Sequence, residues 1–173
     1  MRKPPTFFSV LLTCWFSFAP ATAAPADNWP VPQKFFELPT PYGTLAVKES
    51  EYVYEARLQL NGELLDPDIS GMLDIRYAFS MPKAQAALVA ISKGNDTCPI
   101  SYRWVIIKPQ SYIISPEFGS CSEFIRVSAD TSQLKLETPS RDAPNTLDTY
   151  VYDGQTLKRL NKRNQNGNTR DKR

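Results

Sequence analysis

An Asn-Gly pair separates two short apolar segments in the run Leu58-Gln59-Leu60-Asn61-Gly62-Glu63-Leu64-Leu65. Asn-Gly readily takes positive φ at both central positions of a type I′ turn, which joins antiparallel strands. The run therefore predicts a β-hairpin centred on Asn61-Gly62. A strict two-residue loop would place Glu63 opposite Leu60 on the apolar face, so a longer loop or a bulge remains an alternative.

Apolar and polar residues alternate on both sides of this hairpin, which is the pattern of a half-buried strand. Before the turn the alternation runs from Gly43 to Leu60. After it, residues 72–79 are predicted to place four side chains on one face: Leu73, Ile75, Tyr77 and Phe79. Residues 82–93 fit either a short helix or a buried strand, and the strand is favoured because its neighbours are strand-like.

Further short segments are rich in aromatic and β-branched residues and are separated by Pro, Gly, Asn or Asp, as strands are. They are Ser101–Ile107, Gln110–Ser115, Phe124–Ser128, Gln133–Glu137 and Thr149–Tyr152. Asp153-Gly154 predicts a second hairpin, with Tyr150 and Leu157 on one face. The sequence thus predicts a mostly β protein, a single antiparallel β-sandwich or barrel-like domain of about eight short strands.

The N-terminus has the features of a secretory signal peptide. Arg2 and Lys3 precede an apolar stretch that is too short to span a bilayer, and Ala21-Thr22-Ala23 is a small-x-small cleavage site. We expect residues 1–23 to be the signal peptide, cleaved near Ala23, and the protein to be periplasmic or secreted. No transmembrane segment is expected after cleavage.

The rest of the chain divides by composition. Residues 24–42 are a Pro-rich extended lead-in, 43–160 are the disulfide-stapled β domain, and 161–173 are a basic tail expected to be disordered. Without Arg2 and Lys3 the chain holds 18 basic and 18 acidic residues, but seven of the basic ones lie from Lys158 onward. The body is therefore acidic and the tail basic. Nucleic acid is not expected as a partner of an exported protein.

Three cysteines occur, and Cys14 lies within the expected signal peptide. The remaining pair, Cys98 and Cys121, is predicted to form a disulfide because exported proteins meet an oxidising compartment. The sequence contains no histidine. Its absence excludes His-based catalytic triads and His-ligated metal sites.

Two segments are candidate sites. In the first, Asp66, Asp68, Ser70 and Asp74 place oxygen atoms at the spacing of the first part of a calcium loop, with Gly71 at the sharp turn. Tyr77 stands where the bidentate glutamate belongs, so a plain Asp-Pro turn is the favoured alternative. No cofactor is expected beyond this weak match to a Ca²⁺ site.

The second candidate is the segment 115–123, which a Pro, a Gly and the expected disulfide would make rigid. Its predicted binding residues are Glu117, Phe118, Ser120 and Glu123. A rigid loop suits recognition because it loses little entropy on binding. The alternative for Phe118 is that its ring packs into the core.

These features favour an exported, non-enzymatic binding protein whose partner is another exported or envelope protein. It would act as an inhibitor or immunity-type protein against a hydrolase or toxin that targets the envelope. Two alternatives remain: an envelope hydrolase using paired carboxylates, which needs no histidine, and a structural or assembly component of a cell-envelope or secretion system.

Overall fold

Twelve β-strands make up the regular structure in a computed structural model, which describes residues 29–50, 55–94, 97–143 and 145–161. The strands are β1 (Glu37–Thr40), β2 (Gly43–Glu49), β3 (Ala56–Leu60), β4 (Glu63–Leu64), β5 (Ser70–Met81), β6 (Ala84–Ser92), β7 (Ser101–Lys108), β8 (Ser111–Ile114), β9 (Arg126–Ala129), β10 (Leu134–Pro139), β11 (Leu147–Tyr152) and β12 (Leu157–Asn161). The expected signal peptide and tail residues 162–173 lie outside this part of the chain.

The mostly β, antiparallel prediction is confirmed. Paired strands are antiparallel throughout the described residues, and they form an eight-stranded sheet and a four-stranded sheet rather than a closed barrel. The possible short helix near 82–93 is wrong, because these residues contain the whole of β6. The described residues hold twelve strands rather than about eight, and β1, β4 and β12 are among the short additional ones. No stretch among the described residues is a helix able to cross a membrane.

The large sheet runs β1-β2-β3-β5-β6-β7-β8, with β4 beside β3, and the small sheet runs β12-β11-β10-β9. Alternate residues of β6 lie in two separate hydrophobic clusters, one on each face of the strand. The side chains of β6 are therefore covered on both faces, which accounts for its uninterrupted apolar run.

The first cluster, here called the sandwich core, lies between β5–β8 and the small sheet. It contains Trp104 of β7, Leu136 of β10 and Tyr150 of β11, all buried. The second, here called the fold-back core, joins Leu45 of β2 and Leu58 of β3 to the opposite face of β6 and β7. The large sheet therefore bends at β5 so that β2 and β3 cover its own central strands.

A β-bulge at Arg76 changes which residues of β5 share a face. The pairing register shifts between Ile75 and Tyr77. Leu73 and Ile75 lie in the fold-back core, whereas Tyr77 and Phe79 pack on the sandwich core. The prediction of one common face for these four side chains is wrong, because one extra residue in a strand reverses the faces that follow it.

Both predicted hairpins form. Asn61 and Gly62 have φ of 55° and 86°, and Leu60 pairs directly with Glu63, so the first loop has two residues. The Glu63 side chain stays exposed because β4 ends after Leu64. In the second hairpin, Tyr152 pairs with Leu157 across the Asp153-Gly154 turn.

The predicted disulfide is confirmed. The Cys98 and Cys121 sulfurs are 2.00 Å apart, and the two cysteines are 23 positions apart in sequence. Closing a loop of that length contributes about 3 kcal/mol in the chain-entropy view of disulfides. The bond fastens the segment before β7 to the one before β9, which fixes both ends of the region holding the candidate site.

Candidate functional site

Phe118 of the predicted binding loop belongs to the sandwich core. Its N–H and C=O form two hydrogen bonds with Tyr102, of 2.9 and 2.8 Å. This pairing directs the ring inward, where it is 7% exposed and lies 5.3 Å from the ring of Tyr150. The prediction that the Phe118 side chain points outward to bind a partner is therefore wrong. Its ring packs into the core, as the alternative held.

Ser120 is also buried, and it connects the loop to the small sheet. Its hydroxyl donates a 2.6 Å hydrogen bond to Asp148 and lies 3.3 Å from the hydroxyl of Tyr150. Arg159 donates a 2.8 Å bond to the same Asp148 carboxylate. Ser120 thus anchors the loop, whereas Glu123 is exposed at its end.

Glu117 remains at the surface, and its carboxylate is held by three neighbours. Lys93 Nζ lies 2.9 Å from both carboxylate oxygens, and the Ser101 hydroxyl donates a 2.7 Å bond. An Arg103 guanidinium nitrogen is 3.8 Å away. Partial burial alone would raise the pKa of Glu117, but the hydrogen bonds from Lys93 and Ser101 and the two positive charges outweigh it, so the pKa is lowered.

The chain fold brings the first candidate segment next to Glu117. A cleft of about 120 Å³, here called the charged cleft, is lined by Asp68, Ile69, Ser70, Ile91, Lys93, Arg103 and Glu117. Arg57 extends the cleft at one side through a 3.7 Å ion pair with Asp68. Antiparallel pairing explains the meeting, because it places the start of β5 beside the end of β6, and the end of β6 beside the start of β7.

Two of the four predicted calcium ligands, Asp68 and Ser70, line the charged cleft, whereas Asp66 and Asp74 are not among its lining residues. The Asp66 N–H donates to the Tyr112 hydroxyl at 2.8 Å, and Asp74 forms an ion pair with Arg76 on its own strand. Among the described residues, no group of three or more His, Cys, Asp or Glu side chains is placed to hold a metal ion. Calcium binding remains a prediction from the sequence alone.

Sequence reasoning missed the cations of the charged cleft. Arg57, Lys93 and Arg103 come from three different strands or strand ends, and a single-strand pattern does not show that they meet. The Arg76–Asp74 pair did leave a signal, since two opposite charges two residues apart on a strand share a face.

Replacing Glu117 with glutamine should remove an acid-sensitive part of the stability. A lowered folded-state pKa means that the carboxylate stabilises the fold above its unfolded-state value near 4.3, and that this stabilisation is lost as the pH falls through the folded-state value. At pH 7 the free energy of unfolding of the wild type should exceed that of Glu117→Gln by about 1 kcal/mol or less, because solvent screens a partly exposed ion pair. Urea unfolding at several pH values should show the difference shrink below pH 4.5.

The matched control is Glu63→Gln at the exposed Asn61-Gly62 turn, which should change the free energy of unfolding by under about 0.5 kcal/mol at each pH. A Glu117→Gln difference that grows as the pH falls would contradict the contacts described for this carboxylate.

Comparison with known proteins gives no relative. No family model matches the chain, and no match was found among curated proteins or solved structures. Function is therefore inferred from the chemistry of the described residues.

Proposed function

We propose that this protein is exported and acts without catalysis, by binding another exported or envelope protein at the charged cleft. Export is supported by the signal-like residues 1–23 and agrees with the Cys98–Cys121 disulfide, since such bonds persist in oxidising compartments. The periplasm, or the medium beyond it, is the proposed location.

The arrangement of charges in the cleft carries the proposal. The side chains of Arg57, Asp68 and Lys93 are each about half exposed, with relative accessibilities of 56%, 46% and 50%. Arg103 and Glu117 lie deeper, at 22% and 31%. Two cations and two carboxylates thus line one small opening, and Arg57 pairs with Asp68 beside it. A partner of complementary charge would find there an oriented set of donors and acceptors.

Rigid elements support these charges. Lys93 directly follows β6 and Arg103 lies within β7. Glu117 precedes Phe118, whose backbone pairs with Tyr102, and the disulfide holds the loop four residues later. Groups already fixed in place lose little freedom on binding, so more of the interaction energy appears as affinity.

The state of Glu117 favours binding over the alternative of a paired-carboxylate hydrolase. The acid of such a hydrolase needs a raised pKa to stay protonated near neutral pH. The contacts with Lys93 and Ser101 instead lower the pKa of Glu117. Asp68 is paired with Arg57, which also suits an electrostatic contact surface.

We further propose that the bound protein is an envelope-targeting hydrolase or toxin and that binding blocks it. A rigid charged surface can obstruct an enzyme's substrate site without supplying any reactive group. The partner surface would present at least one carboxylate toward Arg57 and Lys93, and a cation toward Asp68 or Glu117.

Charge reversal at Lys93 tests the proposal. The wild type, immobilised with its disulfide formed, should capture a protein from envelope extracts of its native host, and that protein is then purified. Lys93→Glu places a third carboxylate in the cleft and should weaken binding of the purified partner about tenfold or more by calorimetry.

Lys135→Glu is the matched control, because Lys135 is also paired with a glutamate and 43% exposed, but lies on the small sheet. It should leave the affinity unchanged. Equal binding by the wild type and Lys93→Glu would exclude the charged cleft, and no captured protein would count against a protein partner. If the partner is a hydrolase, adding the wild type should inhibit its activity.

A further inference from the structure

Trp29 lies beside the small sheet, far along the chain from the residues it contacts. The guanidinium carbon of Arg126 on β9 is 4.4 Å from the centre of the Trp29 ring. Phe124 lies 6.4 Å away, with the two rings tilted by 42°. Cation–π and aromatic contacts of this kind fix the orientation of an indole. Trp29 is thus held in place while remaining partly exposed.

The fixed indole forms one wall of a cavity of about 410 Å³, here called the Trp29 cavity. Its other described lining residues are Pro139, Ser140, Asn145, Thr146 and Leu147, at the connection from β10 to β11. The volume lies in the range of small-molecule sites. The described lining contains no charged side chain, so an uncharged ligand suits the cavity.

The polar groups of the cavity are partly free to bind. The Thr146 hydroxyl donates to the carbonyl of Ala143 at 2.7 Å, and the Ser140 N–H donates to the Thr146 carbonyl at 2.9 Å. Among the described residues, the Asn145 amide and the Ser140 hydroxyl have no hydrogen-bond partner. An amide offers two donors and an acceptor, and a hydroxyl offers a donor and two acceptors.

The backbone at Asn145 has a defined conformation. Asn145 has φ of 62°, in the left-handed region that asparagine tolerates better than most residues. The Thr146 N–H donates to the Ala143 carbonyl at 3.2 Å and closes the turn. The Asn145 side chain is therefore carried at the exposed tip of a defined turn, next to an aromatic wall.

We propose that the Trp29 cavity binds a neutral pyranose sugar. A pyranose ring has an apolar C–H face, which would stack on the face of the Trp29 indole that Arg126 does not cover. Its hydroxyl groups both donate and accept hydrogen bonds, as do the Asn145 amide and the Ser140 hydroxyl. The uncharged lining distinguishes this ligand from the charged partner proposed for the cleft, and the two sites share no lining residue.

A titration followed by NMR tests the sugar site. The purified protein, labelled with ¹⁵N and with its disulfide formed, is titrated with chitotriose, cellotriose and maltotriose, and the Trp29 indole N–H signal is assigned through Trp29→Phe. We expect a saturable shift of this signal with at least one trisaccharide at concentrations up to about 10 mM. A response to chitotriose alone would point to an N-acetylated wall glycan as the source.

Two variants and one control localise the binding. Trp29→Ala removes the stacking surface, and Asn145→Gly removes the amide while keeping a residue that accepts positive φ. Each should weaken trisaccharide binding about tenfold or more. Phe36→Ala, at a 56% exposed aromatic residue outside the cavity, should leave it unchanged.

Two results would overturn the proposal. One is the absence of a saturable shift with all three trisaccharides. In that case a saturable shift of the Trp29 signal with a proline-rich peptide would identify a peptide site instead, since such peptides also dock on aromatic grooves. The other is unchanged affinity in both Trp29→Ala and Asn145→Gly.

Discussion

Replacing Trp104 with alanine should lower the free energy of unfolding by about 3 to 5 kcal/mol, the range for large aromatic residues removed from a core. Trp104 has no exposed surface and is among the largest fully buried side chains of the described structure. Its ring lies 6.3 Å from that of Phe79, within the sandwich core that joins the large and small sheets. The deletion would therefore leave a cavity between the two sheets.

Urea unfolding followed by circular dichroism measures this loss. Because domains of this size are stable by only about 5 to 15 kcal/mol, the variant should unfold at much lower urea or be unfolded already. Trp104→Phe keeps an aromatic ring, so its free energy of unfolding should fall by less than that of Trp104→Ala. Phe36→Ala, at an exposed aromatic residue, should change stability by under about 1 kcal/mol. If Trp104→Ala lowered the free energy of unfolding by no more than Phe36→Ala does, Trp104 would not join the two sheets.

Asp148→Ala should lower the free energy of unfolding by about 2 kcal/mol, because it removes a buried carboxylate that accepts hydrogen bonds from a buried hydroxyl and from Arg159. The Asp148 side chain is 3% exposed and accepts bonds from Ser120 and Arg159. Without it, the Ser120 hydroxyl keeps only the 3.3 Å contact with Tyr150.

Asp142→Ala is a matched control, because Asp142 pairs with the same Arg159 at 2.7 Å but is 68% exposed. Asp142→Ala should lower the free energy of unfolding by under about 1 kcal/mol. A double-mutant cycle of Asp148→Ala with Ser120→Ala should give a coupling energy above about 0.5 kcal/mol. Equal losses for Asp148→Ala and Asp142→Ala would show that burial of Asp148 does not strengthen the pair.

Local chemistry was enough to predict much of the fold. The Asn61-Gly62 turn was predictable because positive φ at two adjacent positions strongly favours that dipeptide. The Cys98–Cys121 bond followed from pairing the two cysteines outside the expected signal peptide. Each of these features depends on a few neighbouring residues or on a count, which a single sequence supplies.

Features that depend on distant parts of the chain were not predictable. The bulge at Arg76 reverses the faces of β5, and the period-two pattern does not reveal where an extra residue falls. The antiparallel pairing of β5, β6 and β7 brings Asp68 into one cleft with Lys93 and Glu117, and neither segment alone indicates the other. Phe118 could not be assigned to surface or core until its backbone pairing with Tyr102 was known.

The position of β6 has a consequence for hydrogen exchange. Its backbone is paired along both edges, with β5 and β7, and both of its faces are covered. Amide protons there can reach solvent only when the whole domain opens. The β1–β3 part pairs with β5 at Ala56–Gly71 and Arg57–Ser70, and it is also held by two hydrogen bonds between Phe35 and Ile75 and by the fold-back core. Detaching this part would uncover one face of β6, so slow exchange in β6 reports on the integrity of both hydrophobic cores.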